Sequence, residues 1–207
     1  MRDLLIIGAG GYGREVCQVV EDLGAAWNVL GVLDDRAELH GSTVRELPVL
    51  GGVDAVTEHP RAAIVVAVGS PVGRRAVVER LGELPDARFP VLVHPRAWIG
   101  NHVEVGIGTV VLAGAAVSTD IRIGRFACLN KNCIVGHDAV LGDFTTISPG
   151  ASISGFVTLG EACDIGANRV VVQGHAVGAG TVVGAGAVVT GDLPAGVTAV
   201  GVPARPR

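Results

Sequence analysis

Aromatic residues are nearly missing from this sequence: two Trp, one Tyr and four Phe among 207 residues. So few rings cannot build a core, so the 49% hydrophobic fraction must pack through small and aliphatic side chains. Basic blocks are missing too. The net charge is −4, and no run of Lys and Arg supplies the clustered positive face that a phosphate backbone needs, so no nucleic-acid partner is expected. No stretch reaches the roughly 20 uninterrupted apolar residues of a membrane span. The opening Met1 to Gly8 runs straight into a strand-like segment without a signal-peptide cleavage pattern, and a cytoplasmic protein is expected. Four cysteines, Cys17, Cys128, Cys133 and Cys163, form no CxxC pair. They read as small packing residues in a reducing compartment, with no metal site.

What the chain does have is glycine, 31 residues of it, and a repeat. Counting in sixes from Val93 meets Ile99, Val105, Val111, Val117, Ile123, Leu129, Val135, Leu141, Ile147, Ile153, Leu159, Ile165, Val171, Val177, Val183 and Val189. Each is Val, Ile or Leu, with no insertion. The next residue is often glycine, and the fourth after it is usually small. One aliphatic side chain per hexad therefore points inward, with the small residues and glycines letting the chain bend between short strands. Three hexads close one triangular turn, so residues 18 apart stack at the inter-strand spacing of about 4.8 Å.

Residues 1–90 follow a different pattern. An apolar strand, Leu4 to Ile7, leads into Gly8-Ala9-Gly10-Gly11-Tyr12-Gly13, and helical spacing runs from Arg14 to Leu23. A second strand, Val29 to Leu33, ends at Asp34-Asp35. A third, Ala63 to Val68, ends at Gly69-Ser70 and precedes a helix from Val72 to Leu81. Strand, GxGxxG, helix, strand, acid is a phosphate-binding pattern in which backbone N–H groups approach a ligand at a helix N-terminus. About 90 residues hold only one half of a dinucleotide domain, which favours a mononucleotide or nucleotide-sugar ligand.

This pairing of a short Gly-rich nucleotide domain with a hexapeptide solenoid resembles the bacterial sugar O- and N-acyltransferases, typified by sialic acid O-acetyltransferases and UDP-4-amino-sugar N-acetyltransferases. The resemblance covers the whole chain. It is carried by Gly8 to Gly13, Leu33-Asp34-Asp35, Val66 to Gly69, His94-Pro95, Asn130 through Asp138, Ile147 to Ala151, and Gly201 to Ala204. It implies a small Rossmann-like half-domain over 1–90 followed by a left-handed parallel β-helix over 91–207. It implies a homotrimer with active sites between subunits, and acetyl-CoA as co-substrate. His137 matches the family's general base, and Asp138 the acid beside it. Gly10, Gly11, Tyr12, Asp34, Asp35 and Gly69 match nucleotide-sugar contacts. Thr146, Ala167 and Ala185 match acetyl-CoA contacts, with Thr146 standing where a histidine is often found.

The residues themselves add to this reading. Ala167 and Ala185 are 18 apart, and such a small-residue column leaves room for a pantetheine arm. His137 lies two residues past the inward Val135, away from the core, and Gly155, 18 further on, leaves space beside the imidazole. A histidine is suited to take the proton an amine or hydroxyl loses on attacking a thioester. Arg169 and His175 occupy fourth-step positions where small residues dominate, as part of a locally distorted coil or of a polar cluster near the CoA groove. The expected activity is acetyl-CoA-dependent N-acetylation of a nucleotide-linked 4-amino-4,6-dideoxy sugar in surface-glycan assembly. The alternatives are O-acetylation of sialic acid or another sugar, and a nucleotide-binding trimeric scaffold without catalysis.

Overall fold

An unbroken apolar run suits a strand covered on both faces. Leu4 to Ile7 is such a run, and all four side chains are buried. The computed structural model describes residues 1–207. Its first part holds β1 (Arg2–Ile7), α1 (Gly11–Asp22), β2 (Trp27–Leu33), β3 (Thr43–Val44), β4 (Leu47–Gly51), β5 (Ala63–Val66) and α2 (Pro71–Leu81). Sheet order is β3-β4-β2-β1-β5, parallel except for the β3–β4 hairpin. Helix α1 covers the sheet through Gly13, Val16, Cys17, Val19 and Val20, the periodic face expected, though it starts at Gly11 rather than Arg14. The strand expected to reach Val68 stops at Val66.

Strands β3 and β4 carry no sequence signal. Their turn is Arg45 (φ 47°) and Glu46 (φ 66°), both left-handed as a two-residue hairpin requires, but without the Asn or Gly that ordinarily marks such a turn.

From Leu92 onward the chain winds a left-handed parallel β-helix with three faces. In chain order within each coil, the first face has eight strands, the second six and the third five. Registers place Val117 on Val135, Leu141 on Leu159 and Ile147 on Ile165, so residues 18 apart do stack. From Val111 to Val189 each sixth residue is at most 3% exposed. The last coil is shorter, pairing Val183 with Ala199, and an antiparallel strand, Arg205–Pro206, covers the end.

The bends arise differently from the expectation. It is the third residue after each inward aliphatic that turns the corner, in left-handed conformation: Asp120, Phe126, Asn132, Asp138, Phe144, Phe156, Ala162 and Asn168 have φ between 52° and 58°, with glycine at other coils. The glycine that directly follows the aliphatic residue serves spacing instead. A Cβ on Gly142 would lie 2.6 Å from the Glu161 nitrogen of the next coil. The fourth residue faces the corner's interior. There Thr109 donates its hydroxyl to the Gly124 carbonyl at 2.9 Å, so the threonine at this position is satisfied.

The α/β part packs on the first face and on the corner between the third and first faces. Phe126 and Phe144 stack there at 5.5 Å, with Phe89 edge-on to Phe126 at 5.1 Å. They join Leu5, Ile7, Ile64 and Val66 in one apolar cluster. Arg74 of α2, only 1% exposed, joins the two regions. Its guanidinium donates to the carbonyls of Val68 (2.7 Å), Phe126 (2.7 Å) and Phe144 (2.7 Å) and to the Thr146 hydroxyl (2.9 Å). His94 makes a second joint. Its Nε2 donates to Asp22 at 2.7 Å while Nδ1 accepts the Arg96 N–H at 2.9 Å.

Candidate active site

The glycines of the β1–α1 turn divide by what they face. A Cβ on Gly13 would fall 1.8 Å from the Gly8 carbonyl oxygen, and one on Gly8 2.6 Å from the Ala67 carbonyl oxygen, so these two serve close packing of α1 on the β1 end and of the β1 end on the β5 end. Gly10 caps α1, and a Cβ there would meet nothing within 4 Å. The open space therefore lies before the unpaired N–H groups at the start of α1, where a phosphate can approach. Helix α2 begins beside it. Ser70 caps that helix, its hydroxyl accepting the Gly73 N–H at 3.3 Å.

Both helix starts face a crevice of about 380 Å³ between the two regions. One wall is Gly11, Tyr12, Glu15, Gly69 and Ser70; the other is Cys128, Asn130, Thr146, Ser148 and Asp164 of the solenoid's first face. Burial raises the Tyr12 phenol's pKa well above its ordinary value, with Cys128 adding to the effect, so the phenol is a neutral donor. Thr146, matched to an acetyl-CoA contact by resemblance, sits here among the nucleotide-side residues. It is 6% exposed, and its hydroxyl donates to the Gly69 carbonyl at 3.3 Å.

Of the other sugar-nucleotide candidates, Asp34 and Asp35 stand at the end of β2 and do not line the crevice. Asp34 accepts the Ala9 N–H at 2.8 Å and a two-point contact from Arg36 at 2.8 and 3.0 Å. The Arg36 hydrogen bonds hold its carboxyl well below the usual carboxylate range. Asp35 accepts the Val53 N–H at 3.0 Å and pairs with Arg80 at 2.7 Å. These acids fasten the Gly-rich turn and the β2 end to their surroundings.

His137 stands on the corner between the second and third faces. Asp138, in the left-handed corner position that Asp tolerates better than most residues, turns its carboxylate back to His137 Nδ1 at 2.8 Å. The shorter Asp side chain thus reaches the ring. A carboxylate only accepts, so Nδ1 carries the hydrogen and the neutral ring's lone pair is on Nε2. The imidazole lies over Gly155, where a Cβ would come within 2.7 Å of Nε2, and edge-on to Phe156 at 5.1 Å. About half of the side-chain surface stays open to solvent. In the triangular cross-section, this corner is the vertex opposite the first face. Within one chain the histidine and the crevice therefore stand on opposite sides of the prism.

Ala167 and Ala185 are exposed on the corner between the first and second faces, one coil apart. Arg169 lies just beyond. Its guanidinium rests across Gly166, is 7% exposed, and leaves Nε and Nη1 without partners. Burial lowers its pKa, while Asp164 acts to raise it. The coils part at this point: Gly166 N to Val183 O is 3.4 Å and Gly186 N to Ala167 O is 3.5 Å, against 2.8 Å for Gly142 N to Leu159 O. The local distortion is real and centres on Arg169. His175 pairs with Asp192 at 3.2 Å, on another part of the coil.

Sequence reasoning missed Asp164 and Arg74. A signal for Asp164 was present, since residues preceding the inward aliphatic on the first face run Val110, Cys128, Thr146, Asp164 and Val182, with one acid in an otherwise uncharged column. Arg74 had none, because its solenoid partners lie 52 to 72 residues away.

Residues 3–81 match the family model described as the PglD N-terminal domain. The chain is 33% identical over 117 residues to the UDP-N-acetylbacillosamine N-acetyltransferase of Bacillus subtilis (strain 168), a match covering 55% of this chain and 52% of that protein. The chain spans about half to three-fifths of the length of the curated relatives it matches. Among solved structures, it resembles the acetyltransferase domain of PglB from Neisseria gonorrhoeae FA1090, with a TM-score of 0.91, 37% identity and complete coverage of both chains. It also resembles PerB from Caulobacter crescentus in complex with CoA and GDP-perosamine, with a TM-score of 0.88 and 30% identity over 100% of this chain and 98% of that one.

Proposed function

We propose that this chain, which belongs to the bacterial sugar N-acetyltransferase family, moves the acetyl group of acetyl-CoA onto the amine of a nucleotide-linked 4-amino-4,6-dideoxy sugar. The observation that carries the reading is the His137–Asp138 contact at 2.8 Å, on a corner whose neighbouring coil is opened by Gly155. The amine nitrogen attacks the thioester carbonyl, forming C–N and breaking C–S. His137 Nε2 takes the proton that nitrogen releases, and the proton then passes to the departing CoA sulfur. No acyl-enzyme is required.

The rest of the site fits that chemistry. Gly10, Gly11, Tyr12 and Gly69 hold the nucleotide phosphates and sugar in the crevice. Ala167 and Ala185 line the path of the pantetheine arm. Asp34 and Asp35 shape the nucleotide end from behind, through the Gly-rich turn. Thr146 contributes to the crevice floor.

The assembly is a homotrimer. Two features support it: the base and the crevice lie on opposite sides of one prism, and the second face carries an apolar stripe. Trp98 and Ile134, 61% and 52% exposed, lead it, with Ala116, Val170 and Val188 in the same column and Ser152 its one polar member. Covering such a stripe drives association, and light scattering at micromolar concentration should return the trimer mass; a monomer contradicts it. No helix is long and apolar enough to cross a membrane. We place the protein in the cytoplasm, where acetyl-CoA and nucleotide sugars are made, and its role in surface-glycan assembly.

The test is thiol release with a panel of nucleotide 4-amino sugars. The His137→Ala variant should lose about 10²–10⁴ in kcat with acetyl-CoA affinity unchanged. Near-normal turnover removes His137 from the mechanism.

A further inference from the structure

Among the acids of the crevice, Asp164 differs from its neighbour. Glu15, on α1, is ion-paired with Lys131. Asp164 has no such partner. Its backbone N–H is committed to the Thr181 carbonyl at 3.0 Å, and its carboxylate accepts from no protein donor and lies within 4 Å of no cation. Two cations influence it from a distance. Arg74 has spent its donors on carbonyls and on Thr146, and Arg169 lies across Gly166 on the outer side. The remaining titratable groups on this wall and the opposite one are Tyr12 and Cys128, both kept neutral by burial.

The crevice is therefore electrically polarised. Two helix N-termini, at Gly11 and at Pro71 behind its Ser70 cap, supply partial positive charge along the α/β wall. The solenoid wall supplies one unpaired carboxylate, stacked one strand beyond Thr146. A molecule that is anionic at one end and cationic at the other matches this arrangement, and a nucleotide amino sugar has that form, with a diphosphate and an ammonium.

We infer that Asp164 is the group that recognises the sugar's amine, and that it selects amino sugars over their hydroxyl congeners. The inference rests on the function proposed above. As the ammonium enters, it donates an N–H to the carboxylate. It loses one proton to a base, and the amine that remains keeps its N–H on Asp164, which turns the nitrogen lone pair toward the thioester. Burial works against the unpaired carboxylate, since desolvation raises its pKa, and an arriving cation offsets that cost.

The experiment is equilibrium binding to the intact protein near pH 6.5. The probes are GDP-perosamine and GDP-6-deoxymannose, which carries a hydroxyl where perosamine carries its amine, and the corresponding UDP-linked pair. The wild type should bind the amine of the accepted pair at least tenfold more tightly. Asp164→Asn, nearly the same shape without the charge, should bring the two within twofold while leaving acetyl-CoA affinity and Tm unchanged. Asp164→Ala should do the same, so that the result does not hang on one variant. A purely structural role would weaken both congeners equally, and that outcome overturns the inference, as does an amine preference that survives in Asp164→Asn. Binding of both congeners without preference by the wild type sinks this inference alone. Binding of neither pair sinks the proposed function with it.

Discussion

The two regions of this molecule are specified in opposite ways. In the solenoid, one rule acts at each sixth residue, and no single side chain decides the fold. In the α/β part, a few side chains hold the backbone at single points: Asp34 on the Ala9 N–H, Asp35 on the Val53 N–H, Ser70 on the Gly73 N–H. Repetition makes the first region tolerant in principle, because each coil leans only on its neighbours. Point fastening makes the second sensitive wherever a fastener is lost. Arg74 belongs to both, since one side chain fastens backbone of the two regions together.

The largest effect should follow from cutting that joint. Arg74→Ala leaves the buried carbonyls of Phe126 and Phe144 without their donor, and should destabilise the protein by about 3–5 kcal/mol, several charge-assisted hydrogen bonds being lost together. Calorimetry should then resolve two transitions where the wild type has one. A single transition at the original Tm would mean that the apolar cluster alone couples the regions.

Within the solenoid, the comparison can be sharpened by two glycines that look alike in sequence. Gly142→Ala forces a Cβ to 2.6 Å from the next coil's backbone and should cost about 2–3 kcal/mol, as overpacking does. Gly180→Ala has open space but needs φ near 67° and should cost about 1–2 kcal/mol. Urea unfolding of both variants checks the order, and a reversal would mean the coils yield more readily than the corners.

A smaller effect, of opposite sign, is expected where the repeat breaks its own rule. Arg169 occupies a position held by Ala151 and Ala187 one coil to either side, and two of its N–H groups are buried without partners. Arg169→Ala should stabilise by about 1 kcal/mol, the desolvation of unsatisfied donors being removed. A loss of stability would show that the guanidinium is satisfied by something in solution.

These contrasts also explain what the sequence made legible. The aliphatic residue of each hexad is chemically uniform, so a period can be counted, and with it the three faces and the stacking of His137 over Gly155. The corner residue is not uniform. Phe126, Asn132, Asp138 and Ala162 share only a backbone angle, so their common role is invisible without coordinates. The β3–β4 hairpin was hidden for a similar reason, its turn being Arg45-Glu46. In the site, the resemblance pointed to the Gly-rich turn and to His137 and Asp138, whose side chains meet at 2.8 Å. It matched Thr146 to acetyl-CoA, and could not foresee that the fold seats that residue against Gly69. A contact between positions 69 and 146 joins two regions with different rules, and neither period extends across the joint.

The central claim is that the base and the crevice serving one reaction come from different copies of the chain. Two inactive variants test it most directly. His137→Ala lacks the base, and Gly10→Glu places a carboxylate in the open space before α1. Each alone should be inactive and trimeric. Co-expressed in equal amounts, they should recover about a quarter of wild-type activity per site, because in a cyclic trimer one interface in four then joins an intact base to an intact crevice. Mixed trimers with no activity would contradict the account, since a base and a crevice acting within one chain cannot complement each other.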